Sequence, residues 1–96
     1  MARLNYVEFP ASNKAASKAF FERAFGWTLS DFGPDYAATV TDDVDIGLDA
    51  SADAVSVPLA VIEVEDIDAA LAAVEAAGGV VTKALFSFPG GRRFHV

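Results

Sequence analysis

A chain of 96 residues without cysteine has room for one domain, but it can form neither a disulfide nor a thiolate metal site. Hydrophobic residues make up 53% of the chain, which argues against disorder, and a formal net charge of −7 argues against nucleic-acid binding, which needs a basic surface. No apolar run approaches the roughly 18 residues of a membrane span, and the start does not form a signal peptide, so we expect a soluble cytoplasmic protein.

The first predicted elements are a strand and a helix. Residues Leu4 to Phe9 alternate in polarity, which predicts a strand. Asn13 is suited to cap the start of a helix, and Gly26 is suited to end it in a left-handed conformation. The residues between them predict a helix with Lys14, Lys18 and Glu22 on its solvent side and a broad apolar face formed by Ala16, Phe20, Phe21, Ala24 and Phe25.

Three short strands and a linker are predicted after Gly26. The strands cover Trp27 to Phe32, Tyr36 to Thr41 and Val44 to Leu48. Turn-forming residues separate them, namely Gly33-Pro34-Asp35 and Asp42-Asp43. Small residues dominate Ala50 to Ser56, which predicts a linker.

A second copy of the same unit follows the linker. Displacing the sequence by 53 positions aligns Tyr6 with Leu59, Asn13 with Asp66 and Gly26 with Gly79. This alignment predicts a helix that begins at Asp66 and stops at Gly79 in a left-handed conformation. The predicted strands of this copy are Leu59 to Val64, Val80 to Phe86 and, after the turn at residues 88–91, Arg92 to Val96.

The predicted fold is therefore α+β. It consists of two βαβββ-type modules, about 1–49 and about 57–96, joined by the linker 50–56 within a single domain 1–96. The second module lacks its last strand. Each module should place one helix on a curved mixed sheet.

Four segments of the chain carry a resemblance to a known family. They are residues 7–10 (VEFP), 19–27 (AFFERAFGW), 62–70 with 76–79 (IEVEDIDAA and AAGG) and 88–95 (FPGGRRFH). In this order they resemble the glyoxalase/bleomycin-resistance/extradiol dioxygenase, or vicinal oxygen chelate, superfamily. The resemblance implies that the strands form an open cup. In metal-dependent members, His and Glu on its concave face hold a divalent transition metal, which a substrate with two adjacent oxygens chelates.

The metal ligands that this resemblance implies are largely missing. The ligand of the first strand, commonly His, falls on Tyr6, and its counterpart in the second module falls on Leu59. The usual final Glu has no position, because the chain ends before that strand. Glu8 by itself does not supply the three or four ligands of a metal site. We expect no metal or other cofactor, the alternative being a divalent transition metal at an incomplete or shared site.

The predicted ligand-binding residues are Tyr6, Glu8, Trp27, Tyr36 and Arg93. Strand alternation directs Val7 towards the helix and Glu8 to the opposite face, together with Tyr6. Glu8 is a polar anchor if that face lines the cup, and an ordinary surface residue if the face is solvated. The aromatic residues suit either stacking on a flat ligand or the core.

Two further residue types allow both a functional and a structural interpretation. Either Arg92 or Arg93, but not both, could direct its guanidinium into a given pocket to hold an anion. His95, the only histidine, could act as a general base, although its position near the end of a strand favours a structural role. All basic residues lie up to Arg23 or from Lys83 onward. The acidic segment between them is typical of a solvated surface and would also attract a cation.

These observations predict a metal-free binding protein rather than an enzyme. Its expected ligand is a small, partly apolar molecule, and the acidic segment would suit a cationic one. One alternative is a metal-dependent lyase, isomerase or dioxygenase of the same superfamily; another is an assembly module or truncated product without a small-molecule role. The missing strand should leave an open edge, which predicts a homodimer with paired or exchanged modules. Neither nucleic acid nor a membrane is an expected partner.

Overall fold

The computed structural model describes residues 2–96. Within them lie β1 (Arg3–Pro10), α1 (Lys14–Phe25), β2 (Ser30–Asp31), β3 (Tyr36–Ala38), β4 (Asp45–Asp49), β5 (Leu59–Glu63), α2 (Ile67–Ala76), β6 (Lys83–Phe88) and β7 (Gly91–His95). The two helices and the two sheets confirm the predicted α+β class with one helix per module. The chain forms two units, residues 3–63 and residues 64–96 together with Ala2.

The unit of residues 3–63 is a five-stranded mixed sheet with α1 on one face. Its strand order is β2-β3-β4-β1-β5, so β1 has a neighbour on each side. It runs parallel to β4 and antiparallel to β5, which places Glu8 opposite both Gly47 and Leu59. The parallel pairing is possible because the long connection through α1 returns the chain in the same direction.

The core of this unit lies between the sheet and α1. As the alternation predicted, Val7 and Phe9 face the helix, where they pack with Phe21. The buried residues of this layer are Leu29, Ala37, Ile46 and Leu48. Because the core lies on one side of the sheet, the alternate residues of β1, β3 and β4 face the other side.

The predicted ends of α1 are confirmed. Asn13 has an extended backbone, and its Oδ1 accepts a hydrogen bond from the N–H of Ala16 at 3.0 Å. Gly26 has a φ of 71°, and its N–H donates to the carbonyl of Glu22. Only glycine adopts this left-handed conformation without a steric penalty from Cβ.

The unit of residues 64–96 contains α2 and the antiparallel hairpin of β6 and β7. Asp66 caps α2 as predicted, with its Oδ1 accepting from the N–H of Ala69 at 3.1 Å. The predicted stop at Gly79 is wrong, since Gly78 has the left-handed φ, at 93°. α2 ends at Ala76 and is two residues shorter than α1, so the first glycine after it takes the turn.

Several strands are shorter than the sequence predicted. The predicted strand Trp27 to Phe32 forms only over β2, and the one from Tyr36 to Thr41 forms only over β3. The reason at β3 is the carboxylate of Asp45, which accepts hydrogen bonds from the hydroxyl of Thr39 and from both the N–H and the hydroxyl of Thr41. The N–H of Thr39 still donates to the carbonyl of Ile46, but the N–H of Ile46 donates to the hydroxyl of Thr39, so the regular ladder ends there.

The hairpin of the second unit is displaced from its predicted position. β6 begins at Lys83 rather than at Val80, and β7 begins at Gly91, so Pro89 and Gly90 alone form the turn.

Neither α1 nor α2 is long and apolar enough to cross a membrane.

Candidate functional site

Three of the predicted ligand-binding residues meet on the sheet face opposite α1. The hydroxyl of Tyr36 donates to Oε1 of Glu8 at 3.2 Å. The hydroxyls of Tyr6 and Tyr36 also hydrogen-bond to each other. We call Tyr6, Glu8 and Tyr36 the Tyr–Glu–Tyr group.

A glycine in β4 allows the two tyrosines to meet. Tyr6 belongs to β1 and Tyr36 to β3, and β4 runs between these strands. A Cβ atom at Gly47 would overlap both hydroxyls and would lie 2.8 Å from Cζ of Tyr36. The missing side chain therefore provides the space in which the rings converge over the strand. The sequence contained the signal, a glycine inside an apolar strand, but its role was not predicted.

Glu8 is buried, with 5% of its surface exposed. The alternative of an ordinary solvated residue is thereby excluded. Tyr6 and Tyr36 are half-buried. A carboxylate withdrawn from water needs hydrogen-bond partners, and the hydroxyl of Tyr36 is one of them.

Tyr36 is held in its protonated form. Burial raises the pKa of its hydroxyl far above the usual range, and the hydrogen bond with Tyr6 and the negative charge of Glu8 raise it further. At neutral pH Tyr36 is therefore a hydrogen-bond donor and not a base.

Apolar residues border the Tyr–Glu–Tyr group. Leu59 of β5 lies opposite Glu8, and Val61 lies opposite Tyr6. Both are half-buried, whereas their neighbours in the strand are exposed. On the other side, the buried Ala38 lies opposite Gly47. The group thus has apolar neighbours in β5 and β3, whereas in β4 Asp45 lies opposite Tyr6 and Asp49 opposite Tyr36. Leu59, on which the resemblance placed the second metal ligand, is one of the apolar neighbours.

Trp27 does not join the Tyr–Glu–Tyr group. Its ring stacks on that of Phe21 with a centroid distance of 5.6 Å and an interplanar angle of 2°. It also contacts the ring of Phe25, at 5.3 Å. Since Phe21 packs in the core layer beneath α1, Trp27 extends that layer rather than the opposite face of the sheet.

Arg93 lies in the unit of residues 64–96. Its guanidinium carbon is 5.4 Å from the ring centroid of Phe86 and 5.3 Å from that of Phe88, which are cation–π distances. Arg92 forms an ion pair with Asp68 at 3.4 Å. The ring of His95 lies 5.8 Å from that of Phe86. The hairpin of β6 and β7 is therefore rich in aromatic and basic side chains.

The donor atoms of the Tyr–Glu–Tyr group do not fit the metal site of the family. Divalent transition metals prefer sets of imidazoles and carboxylates, whereas this group has two phenols and one carboxylate. Residues 2–96 contain no group of three or more His, Cys, Asp and Glu side chains placed to hold a metal ion.

A shallow concavity of about 530 Å³ lies elsewhere, on the outer side of α1. Its lining consists of Ala16, Ala19, Phe20, Arg23 and Ala24. This lining offers a single charged side chain and no pair of interacting polar groups. The chemistry of residues 3–63 is concentrated in the Tyr–Glu–Tyr group instead.

The predicted assignment of the faces of α1 is therefore wrong, since only Phe21 of the predicted apolar face is half-buried and the other four residues are exposed. The predicted solvent side, Lys14, Lys18 and Glu22, is half-buried instead, because Lys14 and Lys18 form ion pairs with Asp31 of β2.

Comparison with known proteins gave one family. The model described as Glyoxalase/Bleomycin resistance protein/Dioxygenase superfamily matches residues 3–96. No curated protein matches the sequence. Among solved structures, the chain is similar to one from the mobile metagenome of V. Pseudocholerae, with 14% sequence identity and a TM-score of 0.46. The similarity covers 98% of this chain and 82% of that one.

Proposed function

We propose a function from the premise that this chain belongs to the Glyoxalase/Bleomycin resistance protein/Dioxygenase superfamily. We infer that the protein is a binding protein, which holds a small, partly apolar molecule at the Tyr–Glu–Tyr group. The observation that carries this inference is the burial of Glu8 against the hydroxyl of Tyr36 within an apolar border. A few convergent polar groups in an apolar surrounding are typical of small-molecule sites.

The first test is a ligand screen by thermal shift with aromatic and cationic compounds, repeated on Glu8→Gln. The amide oxygen of glutamine still accepts the hydrogen bond from Tyr36, so we expect the melting temperature to change little while the affinity for a hit falls. The exposed Glu75 provides a matched control, since Glu75→Gln removes one charge from the other unit. A large loss of stability without any effect on binding would identify Glu8 as a purely structural carboxylate and contradict the proposal.

We propose that binding needs no metal. The support is the donor set, because two phenols and one carboxylate do not resemble the imidazole-rich sites that divalent transition metals favour. Elemental analysis of protein purified without chelators or a metal affinity column tests this. A stoichiometric transition metal that disappears in Glu8→Ala would overturn the proposal.

We also propose that the protein is a homodimer in which a second copy supplies further walls of the site, through paired or exchanged modules. Apolar side chains at the surface support this. Leu4 and Ile62, which pair across β1 and β5, are 49% and 63% exposed. In the unit of residues 64–96 no side chain is buried, although Leu71 and Val74 of α2 are apolar. Apolar surface of this kind favours association.

Light scattering across a dilution series measures the oligomeric state. We expect the mass of a dimer at micromolar concentration, because pairing removes the exposed apolar side chains from water. A well-folded monomer at that concentration would contradict the homodimer, and the ligand screen above would then apply to the single chain.

A further inference from the structure

The side of α1 that points away from the sheet is apolar except for one charge. It consists of the residues that line the shallow concavity of about 530 Å³, and we call it the outer face of α1: Ala16, Ala19, Phe20, Arg23 and Ala24. Phe20 is 59% exposed, and Ala16 and Ala24 beside it are exposed as well. An exposed apolar face of this kind is stabilised when a second surface covers it, because the ring is then removed from water.

Arg23 gives the outer face its charge. Within the part of the chain that the structure describes, Arg23 forms no ion pair, whereas Lys14 and Lys18 of the same helix bind Asp31 at 3.0 and 3.2 Å. A guanidinium group that is covered without a partner is costly. The surface that covers the outer face must therefore bring an acidic group to Arg23.

We propose that α2 of a second copy packs on the outer face of α1; this inference rests on the proposed homodimer. The outward side of α2 consists of four exposed alanines, three or four positions apart: Ala69, Ala72, Ala73 and Ala76. Four side chains with this spacing surround a hollow, into which a side chain of the facing helix inserts. Phe20 is the large apolar side chain of the outer face, and its ring fills this hollow.

Charge complementarity selects α2 as the occupant. Two outer faces cannot neutralise each other, because Arg23 is the one charged residue on each. α2 carries acidic residues and no basic one, and Asp68 in its first turn has a side chain that is 71% exposed. A carboxylate accepts at both oxygens, so Arg23 can share Asp68 with Arg92, which contacts Oδ2 at 3.4 Å.

The positions of the two charges set the direction of the helices. Arg23 lies in the last turn of α1, and Asp68 lies in the first turn of α2. With Phe20 seated between Ala72 and Ala73, an antiparallel arrangement brings Arg23 beside Asp68. The first turn of a helix favours a negative charge and the last turn a positive one, so both residues are already in suitable places.

Charge reversal tests the contact, with the dissociation constant of the dimer measured by light scattering across a dilution series. Arg23→Glu and Asp68→Lys each set like charges against each other, and each should raise this constant at least about tenfold. Both side chains are exposed, so the circular dichroism of both variants should match that of the unmodified protein.

An equimolar mixture of the two variants should regain the dimer. In a two-fold dimer the contact occurs twice, and in the mixed dimer both contacts have opposite charges. Glu75→Lys is the matched control, since this exposed residue lies in the last turn of α2, at the other end from Asp68. It should leave the dissociation constant unchanged.

The ring has its own pair of variants. Phe20→Ala empties the hollow and should weaken the dimer, whereas Phe32→Ala removes a ring that is similarly exposed, at 55%, but lies outside α1 and should have no effect. Because Phe20 is exposed, the fold should tolerate its removal, and the charge variants test the contact without changing the ring.

The possible failures are distinguishable. If the unmodified protein is a monomer at micromolar concentration, the homodimer itself is wrong. If it is a dimer that Arg23→Glu, Asp68→Lys and Phe20→Ala all leave intact, the homodimer stands and this contact is wrong. A mixture of the two charge variants that does not regain the dimer, or a dimer that Glu75→Lys weakens and Asp68→Lys does not, also overturns the contact.

Discussion

Replacing Gly47 with alanine should disrupt the Tyr–Glu–Tyr group without changing any of its three residues. The added Cβ would overlap the hydroxyls of Tyr6 and Tyr36 and lie 2.8 Å from Cζ of Tyr36. Carbon atoms in contact are normally about 3.5–4.0 Å apart. Pairing with β1 and β3 holds the backbone of Gly47 in place, so the two rings must move.

Effects of opposite sign determine the size of the change. Gly47 does not have a positive φ, so alanine is compatible with its backbone and stabilises by about 0.4–1 kcal/mol through the unfolded chain. Overpacking costs about 1–3 kcal/mol. Losing the hydrogen bond from Tyr36 to the buried Glu8 costs about 1 kcal/mol more. We therefore expect Gly47→Ala to lower the free energy of unfolding by about 1–3 kcal/mol.

A double-mutant cycle isolates the cause. Urea unfolding followed by circular dichroism is measured for Gly47→Ala alone, for the Tyr6→Phe/Tyr36→Phe double variant and for the combination. Without the two hydroxyls the closest contacts of the new methyl group disappear, so its cost should fall by at least about 1 kcal/mol. A coupling energy near zero, or a Gly47→Ala protein as stable as the unmodified one, would refute the reasoning.

Three other predictions concern the elements that support the site. Asn13→Ala should destabilise the protein by about 1 kcal/mol relative to the control Ser12→Ala, because the cap of α1 is lost; equal stability of the two variants in urea would contradict this. Burial acts to raise the pKa of Asp45, but the hydrogen bonds from two threonines outweigh it and hold that pKa below its usual value. Their stabilisation is present above about pH 4 and lost as the pH falls through the lowered pKa, so the acid limb of a stability-against-pH curve should flatten in Asp45→Asn; an unchanged limb would count against it. Phe21→Leu removes the ring on which Trp27 stacks, and the fluorescence of this single tryptophan should shift to the red, whereas an unchanged spectrum would contradict the stacking.

The sequence predicted the features that local chemistry determines. Asn13 and Asp66 cap their helices because a short Asx side chain placed just before a helix can accept a hydrogen bond from a free N–H group of its first turn. Glu8 lies opposite the helix side because alternation in a strand allows one register once Val7 faces the core. The internal repeat predicted the α+β class, because each copy combines one helix with several strands.

Features that depend on contacts between distant residues were not predictable in this way. The strand after Tyr36 ends early because Asp45, in the next strand, collects the threonine hydrogen bonds. The sequence allowed Trp27 either to stack on a ligand or to belong to the core. Its stacking on Phe21 depends on the path that the chain takes after the end of α1. The role of Gly47 depends on rings that approach from two other strands.

The central position of β1 has a consequence for how the protein is made. Tyr6 pairs with Asp45, and Arg3 pairs with Glu63, so both edges of β1 wait for partners much further along the chain. During synthesis β1 leaves the ribosome well before either neighbour exists. Closing loops of this length costs entropy before any contact repays it, which slows folding. The nascent chain therefore carries Val7 and Phe9 on an unpaired strand until β4 has emerged, and the second edge of β1 stays open until Glu63 follows, which exposes the chain to aggregation over that interval.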